Sequence, residues 1–321
     1  MNPGDFVLCV RNVAGGKFGS EPGPTTFLVV PPGKDPSPRH AIAKDDWAAR
    51  VQRQAKPPAA AAADAHGDIL VFIHGYNNDQ EIVMKRHRRL RADLEALGFA
   101  GAVVSFDWPS AAQALNYLED RSDAKTTALE LVDKGIRLLA ARQDLDCRMN
   151  VHLLAHSTGA YVIREAFDDA DDRRSIAAVN WTVSQIAFIG GDVSSASMSP
   201  TDSASESVYR HCARLTNYWN PYDSVLKLSN MKRLGTAPRV GRVGLPGDAP
   251  GKAVDVDCGD YFRTLDESEA VHFGSFPHSW HIGDPVFTQD LLSTIRGDID
   301  RERIPTRRLD ERGELHLVRP R

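Results

Sequence analysis

Ser157, in the run Asn150-Val151-His152-Leu153-Leu154-Ala155-His156-Ser157-Thr158-Gly159-Ala160-Tyr161, is the residue best placed to act as a nucleophile. Val151, Leu153, Leu154 and Ala155 read as a buried strand and residues 158–167 as a helix, so the serine falls on the turn between them. Ala155 and Gly159, two positions to either side, are small. A sharp strand-to-helix reversal brings the backbone close at those positions and excludes bulk. The same bend would present the hydroxyl at a helix N-terminus, where the dipole favours developing negative charge. A serine before a helix is more commonly a simple N-cap. The assignment therefore depends on whether the chain also supplies a base, an acid and oxyanion donors.

An activated serine needs a base within hydrogen-bond reach and a third group to fix the tautomer of that base. For a nucleophile on such an elbow the expected chain order is serine, acid, histidine. Asp223, in Asn220-Pro221-Tyr222-Asp223, follows a strand and is the favoured acid; Asp192, closing Gly190-Gly191-Asp192, competes with it. The late segment Phe276-Pro277-His278-Ser279-Trp280-His281 offers His278 as the favoured base and His281 as the alternate, with His272 third. Oxyanion donors are expected from the Thr158 N–H and from the loop after His74-Gly75, where the Tyr76 N–H is the candidate. Trp108, Trp219 and Trp280 are candidates to line a substrate pocket, although each suits a core position equally well. His272, His278 and His281 lack the carboxylate or cysteine spacing of a zinc site, so neither a metal nor another cofactor is expected.

The elements that must hold these groups follow from periodicity. Asp5 to Val13 and Thr25 to Val30 read as an antiparallel edge pair joined by a Gly/Pro-rich connection, and Asp45 to Gln54 as a short helix. Residues 54–67, with Pro57-Pro58 and an alanine run, are linker-like. From Asp68 onward strands and helices alternate: strands at 69–73, 102–106, 183–189, 213–219 and, last, 253–257, with helices at 80–97 and 284–296 and a long helix that Ser122 can cap. This order implies a mostly parallel sheet with helices on both faces, and the chemical residues collect at the carboxyl ends of its strands. About twenty residues separate Asp192 from Ala213, too few for a large lid domain.

Composition narrows the setting. A net charge of -4 gives no general electrostatic reason to expect nucleic acid or an anionic membrane as partner. No apolar run approaches the roughly 18 residues of a membrane helix, and residues 1–10 do not resemble a secretory leader. Cys9, Cys147, Cys212 and Cys258 are scattered, as expected of reduced core thiols in a cytoplasmic protein. Lys85 to Arg91, with five Lys/Arg residues and His87, reads as a solvated helix face.

Ile73-His74-Gly75-Tyr76-Asn77, Phe106-Asp107-Trp108-Pro109-Ser110, Ala155-His156-Ser157-Thr158-Gly159 and the late Asp and His loops together resemble the α/β-hydrolase superfamily. More narrowly they resemble a mostly bacterial branch marked by H-G-Y-N and W-P-S segments. The resemblance covers roughly residues 68–296, read as the catalytic core of a single α/β-hydrolase domain; the edge strands and insertion over 1–67 and the charged tail over 297–321 lie outside it. It makes Ser157 the nucleophile, Asp223 the acid and His278 the base, with the backbone after His74-Gly75 in the oxyanion hole. Ala155 departs from the usual glycine of the elbow but remains small. The implied reaction is hydrolysis of an ester-type bond in a small molecule, and the fold does not say which one. A silent binding protein on the same fold, and an acyltransferase or peptidase using the same triad, are the competing classes.

Overall fold

A computed structural model describes residues 4–56, 67–76, 78–110, 125–140, 149–178, 181–231, 237–269 and 273–320. Cys147, His272, the proposed cap Ser122 and the alanine run 59–63 lie outside the described residues. The strands are β1 (Asp5–Ala14), β2 (Lys17–Val30), β3 (Gly67–Ile73), β4 (Ala102–Asp107), β5 (Met149–His156), β6 (Val183–Ile189), β7 (Cys212–Trp219), β8 (Ala253–Asp257), β9 (Arg307–Leu309) and β10 (Leu315–Leu317). They form one sheet in the order β2-β1-β4-β3-β5-β6-β7-β8-β10-β9. Only the outermost pairs, β1 with β2 and β9 with β10, are antiparallel.

The central strands are apolar on both faces because helices cover both. Along β3, Ile69, Val71 and Ile73 pack with the helices Lys44–Ala55, 125–140 and Gly159–Asp171. Leu70 and Phe72 pack on the other side with Gln80–Ala96 and Pro285–Arg296. The last of these helices is capped by Asp284, whose Oδ1 accepts from Phe287 N at 2.8 Å, and stops at Gly297 in the left-handed region. Between β6 and β7 the chain holds only a short 3-10 turn, Ala196–Met198, and the helix Ser203–Arg210, which packs on Gly159–Asp171. No lid domain is built there. Among the described residues no helix is long and apolar enough to cross a membrane. Cys9, Cys212 and Cys258 are free and buried.

Three expectations are corrected. First, β8 is not the last strand. The tail folds back so that β10 pairs parallel with β8 and β9 antiparallel with β10. Arg307 anchors it: the guanidinium is fully buried on Asp290, with contacts at 2.6 Å to Asp290 Oδ1 and Thr294 Oγ1. Second, the Gly/Pro-rich connection after β1 is largely strand, since β2 runs through Pro22-Gly23-Pro24 with register shifts against β1. Proline is tolerated there because the strand is at the edge. Third, the basic run on Gln80–Ala96 is not a solvated face. Arg86 and His87 are buried, and Arg88 and Arg91 reach the buried carboxylate of Asp5 at 2.7 and 2.5 Å. A run of like charges in sequence does not reveal that a buried acid on β1 lies beneath those arginines.

Candidate active site

β5 ends at His156, and Ser157 turns with φ at 57°, the only non-glycine residue with positive φ among those described. Such a conformation is held only when the surroundings over-determine it. Here the Ser157 N–H donates to Ile189 O at 3.1 Å and its carbonyl accepts from Asp192 N at 3.0 Å, clamping the bend onto the end of β6. Gly159 then begins the helix in direct contact with β3: a Cβ there would lie 2.4 Å from Ile73 O. The N-cap of that helix is Thr158, without a side-chain cap, so the Ser157 hydroxyl is not spent on capping.

His278 and Asp223 are brought together. His278 Nδ1 lies 2.6 Å from Asp223 Oδ2, with the pair almost wholly buried. Asp223 divides its oxygens, since Oδ1 accepts from Leu226 N at 2.9 Å at the start of the helix Ser224–Met231. Its backbone carbonyl accepts from Arg242 at 2.8 Å, and Asn220 of the same turn donates to Pro277 O at 3.3 Å. The turn and the histidine loop are thus stitched at several points. Gly190, at φ 54° directly after β6, leaves room for the pair: a Cβ there would sit 3.0 Å from His278 Nδ1 and 3.4 Å from Asp223 Oδ2. Residues 189 and 192, on either side of Gly190, are the two that hold the Ser157 backbone.

The competing residues are occupied otherwise. Asp192 is buried in an ion pair with Arg239 at 3.1 Å. His281 is buried against Trp280 and Phe287, and among the described residues neither of its ring nitrogens has a hydrogen-bond partner. Burial, together with the neighbouring His278, holds its pKa well below the usual histidine value.

The His74-Gly75-Tyr76 loop and the Asp107-Trp108-Pro109-Ser110 segment interlock. The Trp108 N–H donates to His74 Nε2 at 3.2 Å, and His74 Nδ1 lies 2.8 Å from the Gly75 carbonyl. These two partners require the neutral tautomer protonated at Nδ1, consistent with a pKa lowered by burial. Asn78 Nδ2 donates to the carbonyls of Gly75 and Tyr76 at 2.8 and 3.0 Å, while Asn78 N donates to Ser110 Oγ at 3.1 Å. Asp107 is fixed by Arg11 at 2.8 Å and Gln80 at 2.6 Å. Burial would raise its pKa, but the Arg11 guanidinium, helped by the Gln80 amide, holds it well below the carboxylate range. Gly75 packs on the elbow so closely that a Cβ would lie 2.6 Å from Ser157 Cβ.

Of the three tryptophans, Trp108 is fully buried, stacked on His74 with its Nε1 donating to His74 O at 2.9 Å. It organises the loop instead of facing a ligand, which corrects the expectation for it. Trp280 borders a cavity of about 560 Å³ with Tyr261, Phe276 and Asp284, and Trp219 a groove of about 410 Å³ with Asp255 and Leu245. Neither space is lined by Ser157, Asp223 or His278. Two residues with large roles in the geometry, Arg86 and His156, were not singled out from sequence. His156 Nε2 lies 3.0 Å from the His278 carbonyl, and Arg86 lies 3.3 Å from His156 Nδ1. A histidine directly before the serine, and an arginine second in the basic run of the helix Gln80–Ala96, give no signal without the tertiary contact.

Residues 53–252 match the family described as "Alpha/beta hydrolase of unknown function (DUF900)", a span that contains Ser157 and Asp223 and stops short of His278. No curated protein matches the chain. Among solved structures it is similar to Aspergillus fumigatus lipase B, with 14% identity and a TM-score of 0.44 over 92% of this chain and 66% of that one. It is similar also to a cutinase-like protein from Cryptococcus sp., with 14% identity and a TM-score of 0.33 over 71% and 92% of the two chains. Esterase B from Lactobacillus rhamnosis aligns at 12% identity with a TM-score of 0.39 over 73% and 78%.

Proposed function

The chain belongs to the α/β-hydrolase family of unknown function whose pattern it matches over residues 53–252, and from that premise we propose that it is a serine hydrolase cleaving a carboxylic ester-type bond in a small molecule. The observation that carries this is the 2.6 Å His278–Asp223 contact, set against Gly190 in a segment whose Ile189 and Asp192 hold the backbone of a serine at φ 57°. With Nδ1–H given to Asp223, the free lone pair of His278 is on Nε2, the nitrogen a general base uses.

The reaction then runs in two steps. Ser157 Oγ attacks the carbonyl carbon of the ester while His278 Nε2 takes its proton, and Asp223 stabilises the imidazolium. The carbonyl oxygen becomes an oxyanion held by the Thr158 and Tyr76 N–H groups. The second assignment is supported by peptide geometry. The Gly75 carbonyl is turned toward His74 and Asn78, and in a planar trans peptide the Tyr76 N–H points the opposite way. Collapse of the intermediate expels the alcohol, which leaves with the proton from His278. Water, deprotonated by the same nitrogen, attacks the acyl-enzyme and releases the acid. A cytoplasmic, bacterial setting fits the four scattered cysteines and the branch the motifs resemble.

Ser157→Ala tests the reading on an activated ester such as p-nitrophenyl acetate. Turnover is expected to fall by several powers of ten, roughly 10⁴-fold or more, with the fold intact. Wild-type turnover in that variant would exclude Ser157 as nucleophile.

A further inference from the structure

Arg86 is a buried cation whose contacts lead to the site. It lies on the helix Gln80–Ala96, and among the described residues no carboxylate pairs with it. Its partners are neutral: His156 Nδ1 at 3.3 Å, the Phe273 carbonyl, and Ser279 Oγ at 3.4 Å. The loop is shaped around the guanidinium, since a Cβ at Gly274, where φ is 131°, would lie 3.2 Å from Arg86 NH2 and 3.3 Å from Ser279 Oγ. A buried charge without a counter-charge is costly. Stability of the fold does not explain its presence.

His156 completes the connection. The arginine can only donate, so His156 Nδ1 must accept and the ring carries its proton on Nε2. That proton is the one given to the His278 carbonyl at 3.0 Å. The two imidazoles lie with centroids 4.7 Å apart. Burial, the Arg86 charge and the His278 ring all keep His156 neutral, its pKa well below the usual value. One hydrogen bond and one residue of backbone thus separate Ser157 from the main chain of His278.

We propose that Arg86 and His156 are positioning residues for the base: Arg86 fixes the tautomer of His156, and His156 holds the main chain of His278 so that its ring meets Ser157. This rests on the Ser157–His278–Asp223 reading given above. The arginine simultaneously ties the two ends of the 273–279 loop to the helix that follows the Gly75 loop. Donor loop, elbow and base loop are then set against one another through a single guanidinium. Neither residue touches the reacting atoms.

Steady-state kinetics on p-nitrophenyl acetate and the phosphonylation rate of Ser157 by a fluorophosphonate test the proposal in the full chain. His156→Leu fills the site without a donor and is expected to lower kcat and the phosphonylation rate by about 100-fold, the cost of misplacing a reacting group by about an ångström. KM is expected to hold. His156→Gln, whose amide N–H can reach the same carbonyl, is expected to recover most of that loss. Should the leucine variant fail to fold, Arg86→Met, which frees the His156 tautomer, is expected to lower kcat with KM retained. A folded leucine or methionine variant with kcat within about threefold of wild type overturns the proposal. So does a glutamine variant no better than leucine, which would mean that the ring acts by packing alone. Absence of phosphonylation at Ser157 in the wild-type protein would instead overturn the serine-hydrolase reading beneath it.

Discussion

His278 Nδ1 and Asp223 Oδ2 lie 2.6 Å apart, although 55 residues separate them in sequence, one carried by the helical turn Phe276–Ser279 and the other by the turn after β7. Replacing the carboxylate by an amide keeps the shape while turning an obligate acceptor into a group that can present N–H to the ring, favouring the wrong tautomer. Asp223→Asn is therefore expected to lower kcat on an activated ester by about four powers of ten, with KM little changed. Comparable turnover in the variant would mean that Asp223 serves only to cap the helix Ser224–Met231, to which its other oxygen is committed.

Gly75 faces Ser157 so closely that a methyl group must displace one of the two, its Cβ lying 2.6 Å from that of the serine. Gly75→Ala is expected to fold, because the loop is held from behind by His74, Asn78 and Trp108. Its kcat should fall about 100-fold as the oxyanion donors shift. Circular dichroism with kinetics checks this; a variant as active as wild type would separate the Gly75 loop from the chemistry.

The C-terminal tail gives a prediction about stability. Arg307 and Asp290 are both fully buried, and the arginine also holds Thr294 and Tyr218. Arg307→Met strands a buried carboxylate, which typically destabilises by about 3–5 kcal/mol. Urea denaturation should show a loss of that size. A change below about 0.5 kcal/mol, as at an ordinary surface site, would mean that the tail is only loosely attached.

Acid sensitivity follows from four buried histidines. His74, His87, His156 and His281 all have pKa values pushed down, first by burial, and His87 reaches about 4. The unfolded chain takes up these protons near pH 6.5 while the folded chain does not. Stability is therefore fully present above about pH 6.5 and falls as the pH drops toward 4, by up to roughly 1.4 kcal/mol per pH unit for each histidine. Asp255 acts in the opposite sense: burial pushes it up to about 6, so its contribution is full below about pH 3.9 and is lost as the pH rises toward 6. Asp168, Asp169, Asp257 and Asp284 are raised in the same sense, also by burial, but they are less deeply buried than the four histidines, whose effect is expected to dominate. Urea midpoints should be lower at pH 5 than at pH 7.5, and His87→Gln, which keeps a partner for Ser105, should reduce the difference. Equal midpoints at both pH values would contradict the assignment of neutral buried rings.

What could be read from sequence, and what could not, has a common cause. Runs such as Ile69 to Ile73 and Val183 to Ile189 declare themselves because strands covered on both faces need apolar residues throughout. Those strands also place Ser157 and Asp223 after carboxyl ends, since a βα order leaves few other positions. β9 and β10 escaped because three-residue strands carrying arginine and histidine are defined by what Arg307 reaches, not by any periodicity. Arg86 escaped for the same reason: within a run of like charges, only the tertiary contact distinguishes the buried arginine from its neighbours. Asp192 and His281 are set apart from Asp223 and His278 only by their surroundings, an arginine for one and apolar rings for the other.

Covalent labelling tests the account most directly. Incubated with a fluorophosphonate, the wild-type protein should gain one adduct by intact mass, and peptide mapping should place it on Ser157; Ser157→Ala should gain none. An adduct on another residue, or an unmodified wild-type protein under conditions that label a control serine hydrolase, would contradict the claim that this strained serine is an activated nucleophile.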